Sequence, residues 1–126
     1  MRVFTEEQGS FSEKVNYVDE NDRFVGYDMG RNCCESFGHC IAVSTDTDTY
    51  EGPVRKVKAE DVDLTPYRFV DEPPTKVDPE DEYDRGGALF FRIAAEDLPD
   101  LYVAIWNYHN GYYSHGFDSF RDSGSI

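Results

Sequence analysis

The sequence predicts a β-rich α+β fold: an antiparallel sheet ending in a C-terminal three-stranded meander, with little helix. Three observations carry this expectation. First, residues 101–120 hold the single Trp, four of the nine Tyr and two of the three His, with Asn110-Gly111 at their centre. Asn-Gly between alternating runs is the strongest short-range hairpin signal, because both residues of a type I′ turn need φ > 0. Second, residues 88–95, ALFFRIAA, form an apolar run of strand length, and a hairpin-sized connection with Pro99 leads from it to residue 101. Third, no long amphipathic helix is visible, and two Met with few Leu argue against a helical bundle. Antiparallel strands at 88–95, 101–108 and 112–117 are therefore expected to close the chain.

Counting outward from the Asn-Gly turn sets the expected register. Tyr108 faces Tyr113, Trp106 faces His115 and Ala104 faces Phe117; on the opposite face His109 meets Tyr112, Asn107 meets Ser114 and Ile105 meets Gly116. Period-two alternation makes the first face an aromatic slab. Such a slab is either core, packed on a second layer, or a partly open platform on which a ring stacks.

The remaining elements follow in order. Arg2, Val3 and Phe4 suit a short edge strand or an arm. The β-type runs 14–18 and 23–27, broken by Asp-Glu-Asn-Asp, read as a hairpin. Residues 28–40 are too polar and irregular for a strand and read as a loop with one helical turn, before a brief strand at 41–44. Residues 51–58 suit a strand with a basic face (Arg55, Lys56, Lys58), 59–64 a helical turn and 67–70 a strand. Residues 71–87 read as an acidic Pro- and Gly-containing loop insertion within a single domain spanning 1–126.

Length and charge narrow the functions. A chain of 126 residues suits one domain with one core. Aromatics make up 15% of it, so that core relies on a few large rings. The net charge of −14, from 26 acidic against 12 basic residues, repels phosphates and anionic membranes and attracts basic proteins. Direct nucleic-acid binding and membrane association are therefore not expected. Without an apolar run of membrane-spanning length or a signal-peptide pattern, the chain reads as cytosolic. Three Cys, two of them adjacent, fit reduced thiols better than a disulfide framework.

Chemistry-bearing side chains concentrate in Asp28, Cys33, Cys34, Glu35, His39 and Cys40. Cys, His and carboxylates are zinc ligands, but adjacent Cys33 and Cys34 do not suit one tetrahedral ion, and no C-x-x-C pair is present. A catalytic thiol would need His39, His109 or His115 as its base. The alternative is a structural loop of Asp28, Cys33, Cys34 and Glu35, with Cys33 or Cys34 packed as a small apolar group and Glu35 satisfying backbone donors. No phosphate loop, H-E-x-x-H, G-x-S-x-G or deaminase pattern occurs, so neither a metal nor a cofactor is expected.

Asp28 with Cys33-Cys34-Glu35-Ser36, and residues 103–118 with their Asn110-Gly111-Tyr112-Tyr113-Ser114 core, together resemble a small uncharacterised domain family of phages and prophages. In that family a Cys-Cys-Glu-Ser loop follows an early hairpin and an Asn-Gly-Tyr-Tyr-Ser hairpin ends the domain. The resemblance covers roughly residues 14–120, though here Phe37, Gly38, His39 and Cys40 replace the usual acidic continuation. It implies a phage context, a compact β-rich domain, and contact between the two patches.

Three functions follow in order. The first is a non-enzymatic, acidic phage-type protein that binds and inhibits a host component in the cytosol. It would be a counter-defence inhibitor, anti-CRISPR-like or a nucleic-acid mimic. Asp71, Glu72, Asp78, Glu80, Asp81 and Glu82 would contact a basic host protein. The second sequesters a small nucleotide signal, stacking it on Trp106, Tyr108 and Tyr113 beside His115. Its phosphates would meet Arg31, Arg92 or the Arg55, Lys56, Lys58 cluster, and homo-oligomerisation would gather these few cations. The third is a metal- or thiol-dependent enzyme built on Cys33, Cys34, Glu35 and His115.

Overall fold

A computed structural model describes residues 1–7, 13–30, 36–48, 51–80, 85–109 and 114–126. Two antiparallel sheets stack on one another. The first runs β1 (Arg2–Glu7), β2 (Glu13–Val18), β3 (Phe24–Asp28), β12 (Gly116–Ser119) and β13 (Ser123–Ser125). The second runs β7 (Lys56–Val57), β4 (Ser36–Ala42), β11 (Leu101–His109), β10 (Arg85–Ala94) and β8 (Arg68–Phe69), with β9 (Thr75–Val77) also on β10. A small hairpin, β5 (Thr47–Asp48) with β6 (Gly52–Pro53), completes the strands.

Alternation on β10 and β11 separates two apolar layers. Leu89, Phe91 and Ile93 pair with Ile105, Val103 and Leu101, and these six face the first sheet. There they meet Val15 and Tyr17 of β2 and Val25 and Tyr27 of β3. Ala88 and Phe90, paired with Trp106 and Ala104, point the other way into a second cluster with Tyr108. The Trp106 indole lies between two glycines. A Cβ on Gly38 would come within 2.6 Å of it and one on Gly52 within 2.5 Å, so both positions require a bare backbone. Tyr27 ties the sheets together, its hydroxyl donating to the Trp106 carbonyl at 2.7 Å.

The turn between β2 and β3 is built on Asp19. Its carboxylate accepts the backbone N–H groups of Asn21 at 2.9 Å and Arg23 at 3.0 Å, while Asp22 takes φ 61°. The other carboxylate oxygen accepts the Phe69 N–H at 2.9 Å, which fastens this turn to β8 in the opposite sheet. Asp19 is 3% exposed, and these three donors are what make a buried carboxylate tolerable.

Several expectations need correction. The described residues contain no α-helix, only a 3-10 turn at Ala59–Asp61, so the helical half of α+β does not hold. The first half of the meander stands: β10 and β11 pair across a turn in which Asp97 has φ 61°. The second half does not. The free side of β11 is taken by β4 over seven residue pairs, whereas β12 pairs with β3 in the other sheet. Trp106 therefore sits opposite Gly38 and Ala88 rather than His115, and Phe117 opposite Tyr27 rather than Ala104. A turn signal specifies a local reversal, and the longer, better-packed pairing decides which strands join. The Asn110-Gly111 turn itself lies outside the described residues.

Residues 36–40 are strand rather than loop. Gly38, Cys40 and Ala42 supply the small side opposite Trp106, Ala104 and Tyr102. The stretch 71–87 is not loop throughout, because β9 pairs with Ala88, Leu89 and Phe90, and Gly86 and Gly87 lie within β10. The single strand expected at 51–58 is two short ones, β6 and β7. No helix among the described residues is long and apolar enough to cross a membrane.

Replacing Tyr27 by Phe removes the bond from the first sheet to the Trp106 carbonyl. Urea unfolding should show a stability loss of about 1–2 kcal/mol with an unchanged denaturant slope.

Candidate functional site

The two sequence patches come together at their described margins. His115, 2% exposed, stacks on Phe37 at 4.4 Å between ring centroids and tilts against Tyr27 at 5.8 Å. Its Nδ1 lies 2.7 Å from the Asp28 carbonyl. A carbonyl can only accept, so Nδ1 carries the proton and donates. Asp28 and Phe37 stand on either side of the Cys33, Cys34 and Glu35 segment, which lies outside the described residues, as do Arg31, Tyr113, Asp81 and Glu82.

A second inter-sheet contact joins Tyr17 of β2 to His39 of β4. The phenol oxygen and Nδ1 share a hydrogen bond of 2.6 Å. Burial pushes the Tyr17 phenol up and holds His39 below its ordinary 6.5, so both are neutral at physiological pH. Cys40 follows His39 on the same strand and therefore points to the opposite face, toward Ala104 and Trp106. Burial raises its thiol to about 11, against the pull of Lys56, which leaves it protonated and a weak nucleophile. Among the described residues, no three His, Cys, Asp or Glu side chains converge as a metal site would require.

The aromatic slab is packed. Trp106 is 7% exposed between its two glycines, with the Lys56 ammonium 4.9 Å from the ring centroid. Tyr108 is buried beside Thr47, and burial raises its phenol. Of the other cations considered for phosphates, Arg92 is engaged by the Glu72 carboxylate at 2.7 and 2.8 Å and by Asp100 at 3.1 Å. Arg55, Lys56 and Lys58 are exposed.

The acidic stretch is partly neutralised from within the fold. Glu72 pairs with Arg92, Asp71 with Arg121 at 2.6 Å, and Asp78 with Lys76 at 3.6 Å; Glu80 is exposed. A second acidic surface is concave. A groove of about 790 Å³ runs along β8, with Phe69, Val70, Ala94 and Ala95 among its lining residues. Its carboxylates are Glu20, Asp63 and Glu96. Thr65 donates its N–H to Asp63 at 3.0 Å, and the Thr65 hydrogen bonds hold that carboxyl below the usual range, so it stays ionised. Arg68, the one Lys or Arg in the lining, pairs with Glu20; Asp63 and Glu96 are exposed, with the Met1 ammonium near Asp63 on the Leu64 and Thr65 carbonyls. An apolar lining with anionic members suits a Lys or Arg side chain, whose stem is apolar and whose head is charged.

Sequence reading missed this groove. Glu20 comes from the β2–β3 turn, Asp63 from the stretch after the 3-10 turn and Glu96 from the β10–β11 turn. Each looks like ordinary turn chemistry in its own segment. The Asp19 carboxylate and the Arg23 guanidinium hold their turn against the Phe69 backbone and so carry Glu20 to β8.

The described residues thus define a β-rich fold of two stacked antiparallel sheets with an acidic groove along β8. Within that class, the chain belongs to the family described as Domain of unknown function (DUF7448), whose model matches residues 3–119. Comparisons with curated proteins and with solved structures found no match.

The His39 contact predicts an acid limb of stability. A histidine held below its ordinary value resists protonation when folded, so its contribution is complete above about 6.5 and declines as pH falls below that. Urea midpoints measured at about pH 7.5 and about pH 5.5 should fall further for the wild type than for His39→Gln, the carboxylate contribution being common to both.

Proposed function

We propose that this protein is a non-enzymatic acidic binder of phage type. It inhibits a host component in the cytosol by seating a basic segment of it in the groove lined by Glu20, Asp63 and Glu96. The observation that carries the reading is the groove itself, where apolar surface adjoins three carboxylates from distant segments. The net charge of −14 supports it by drawing a basic partner in over distance. The phage setting and a counter-defence role rest on the Cys-Cys-Glu-Ser and Asn-Gly-Tyr-Tyr-Ser resemblance.

A second reading has one observation in its favour. Lys76, Arg85, His109 and Ser114 line a cleft of about 320 Å³ beside β9 and β10. This gathers cationic groups in a chain that has few, as sequestration of a small nucleotide would require.

Titration of a Lys- and Arg-rich peptide, followed by fluorescence anisotropy, tests the first reading. Binding should weaken steeply as salt rises. Asp63→Lys with Glu96→Lys should weaken it by roughly a hundredfold at low salt while the circular dichroism spectrum stays the same. Unaltered peptide affinity in that double variant would remove the groove from the account. A calorimetric titration with a cyclic dinucleotide that binds stoichiometrically, and is lost in Arg85→Glu, would favour the second reading instead.

A further inference from the structure

One sheet margin in this protein differs from the others. Among the described residues β1 pairs with β2 alone, and all six of its residues are exposed. Val3 and Phe4 are 46% and 40% exposed. The remaining margins are short: β13 and β9 have three residues each, β7 and β8 two each. Short edges discourage edge-to-edge pairing, and so do Pro and Lys placed on them. β1 is long and contains neither.

Its side chains are also self-complementary. Arg2, Phe4 and Glu6 share the outer face, where Asn16 donates to Glu6 at 2.8 Å and the Arg2 guanidinium lies 5.8 Å from the Phe4 ring centroid. Val3, Thr5 and Glu7 share the other face. We propose that β1 is a dimerisation edge, on which a second copy of the chain lays its own β1 antiparallel about a two-fold axis normal to the sheet. Rotation about such an axis keeps every side chain on its own face, so residues pair only with those of like parity. Centred on Phe4, the pairing places the two Phe4 rings together, each Arg2 opposite Glu6 of the second copy and each Val3 opposite its Thr5. Centred on Thr5, it would set Phe4 against Glu6 and Val3 against Glu7; centred on Val3, it leaves both acids without a cation. Charge complementarity therefore selects the Phe4 register, which fuses the two first sheets into one.

The net charge of each copy opposes this association over distance, so salt strengthens the dimer by screening it. That is the opposite salt dependence from capture of a basic partner, and the two proposals stand or fall separately. Sedimentation velocity of the full chain at low and high salt is the test. The wild type should dimerise, more tightly at high salt. Arg2→Glu should weaken the dimer by about tenfold, because two attractive cross-strand pairs become repulsive. Arg2→Glu with Glu6→Arg should restore it, since the double variant keeps both the wild-type net charge and the pairing. Phe4→Lys should give a monomer although it lowers the net negative charge. A wild-type monomer at both salt concentrations overturns the proposal, as does a dimer that survives Phe4→Lys or is not rescued by the charge swap.

Discussion

The burial of β11 on both faces is the constraint from which the rest of this structure follows. From Leu101 to His109 the strand has neighbours on either side, β10 and β4, and every residue of it except Tyr102 is buried. Odd-numbered side chains, Leu101, Val103 and Ile105, fill the layer between the sheets; even-numbered ones, Ala104, Trp106 and Tyr108, fill the layer behind. A strand of this kind leaves no slack in register. A shift of one residue would exchange Trp106 with Ile105 or Asn107 and place the indole where β2 and β3 already stand.

Large side chains on the central strand then dictate small ones around it. At Gly38 on β4 and Gly52 on β6 the indole leaves no room for a Cβ, and the latter has φ +79°, a conformation that suits glycine. The same economy explains the buried polar contacts, two between the sheets and one within the first. Tyr17 with His39, His115 with Asp28 and Tyr27 with Trp106 each satisfy a polar group that the sandwich would otherwise bury at a cost of about 1–3 kcal/mol. The hydroxyls of Tyr17 and Tyr27 and the imidazole of His39 here form bonds between the layers. The charged side chains lie mostly outside these layers, and acids outnumber bases among them by 26 to 12.

How far the sequence could be read depended on the range of the interaction involved. The hairpin of β2 and β3 and the pairing of β10 with β11 were legible, because turn chemistry and alternation lie within a few residues of each other. The strand character of residues 36–40 was not. Phe37, Gly38, His39 and Cys40 carry no conspicuous alternation, and their small residues make sense only once Trp106 is known to face them. The Asn-Gly signal misled in a similar way, since it bears on a reversal and is silent about which sheet receives the strand that follows. For the site, the expected contact between the loop at residues 33–36 and the tail falls largely outside the described residues, with Asp28 and Phe37 on its margins meeting His115. The acidic groove escaped notice because its three carboxylates are separated by more than thirty positions in sequence.

By itself the sequence determined composition-level properties: a strand-dominated chain, a strongly anionic surface and a core dependent on a few aromatic rings. These are set by side-chain type and by period-two patterning, which do not depend on distant partners. Tertiary structure alone decided that β12 leaves the second sheet for the first, that Trp106 is enclosed, and that Glu20, Asp63 and Glu96 share one groove. Each of those outcomes is a competition between alternative long-range pairings. Such a competition is settled by packing volume and by the hydrogen bonds of buried groups such as the Asp19 carboxylate, quantities that have no value until the chain is folded.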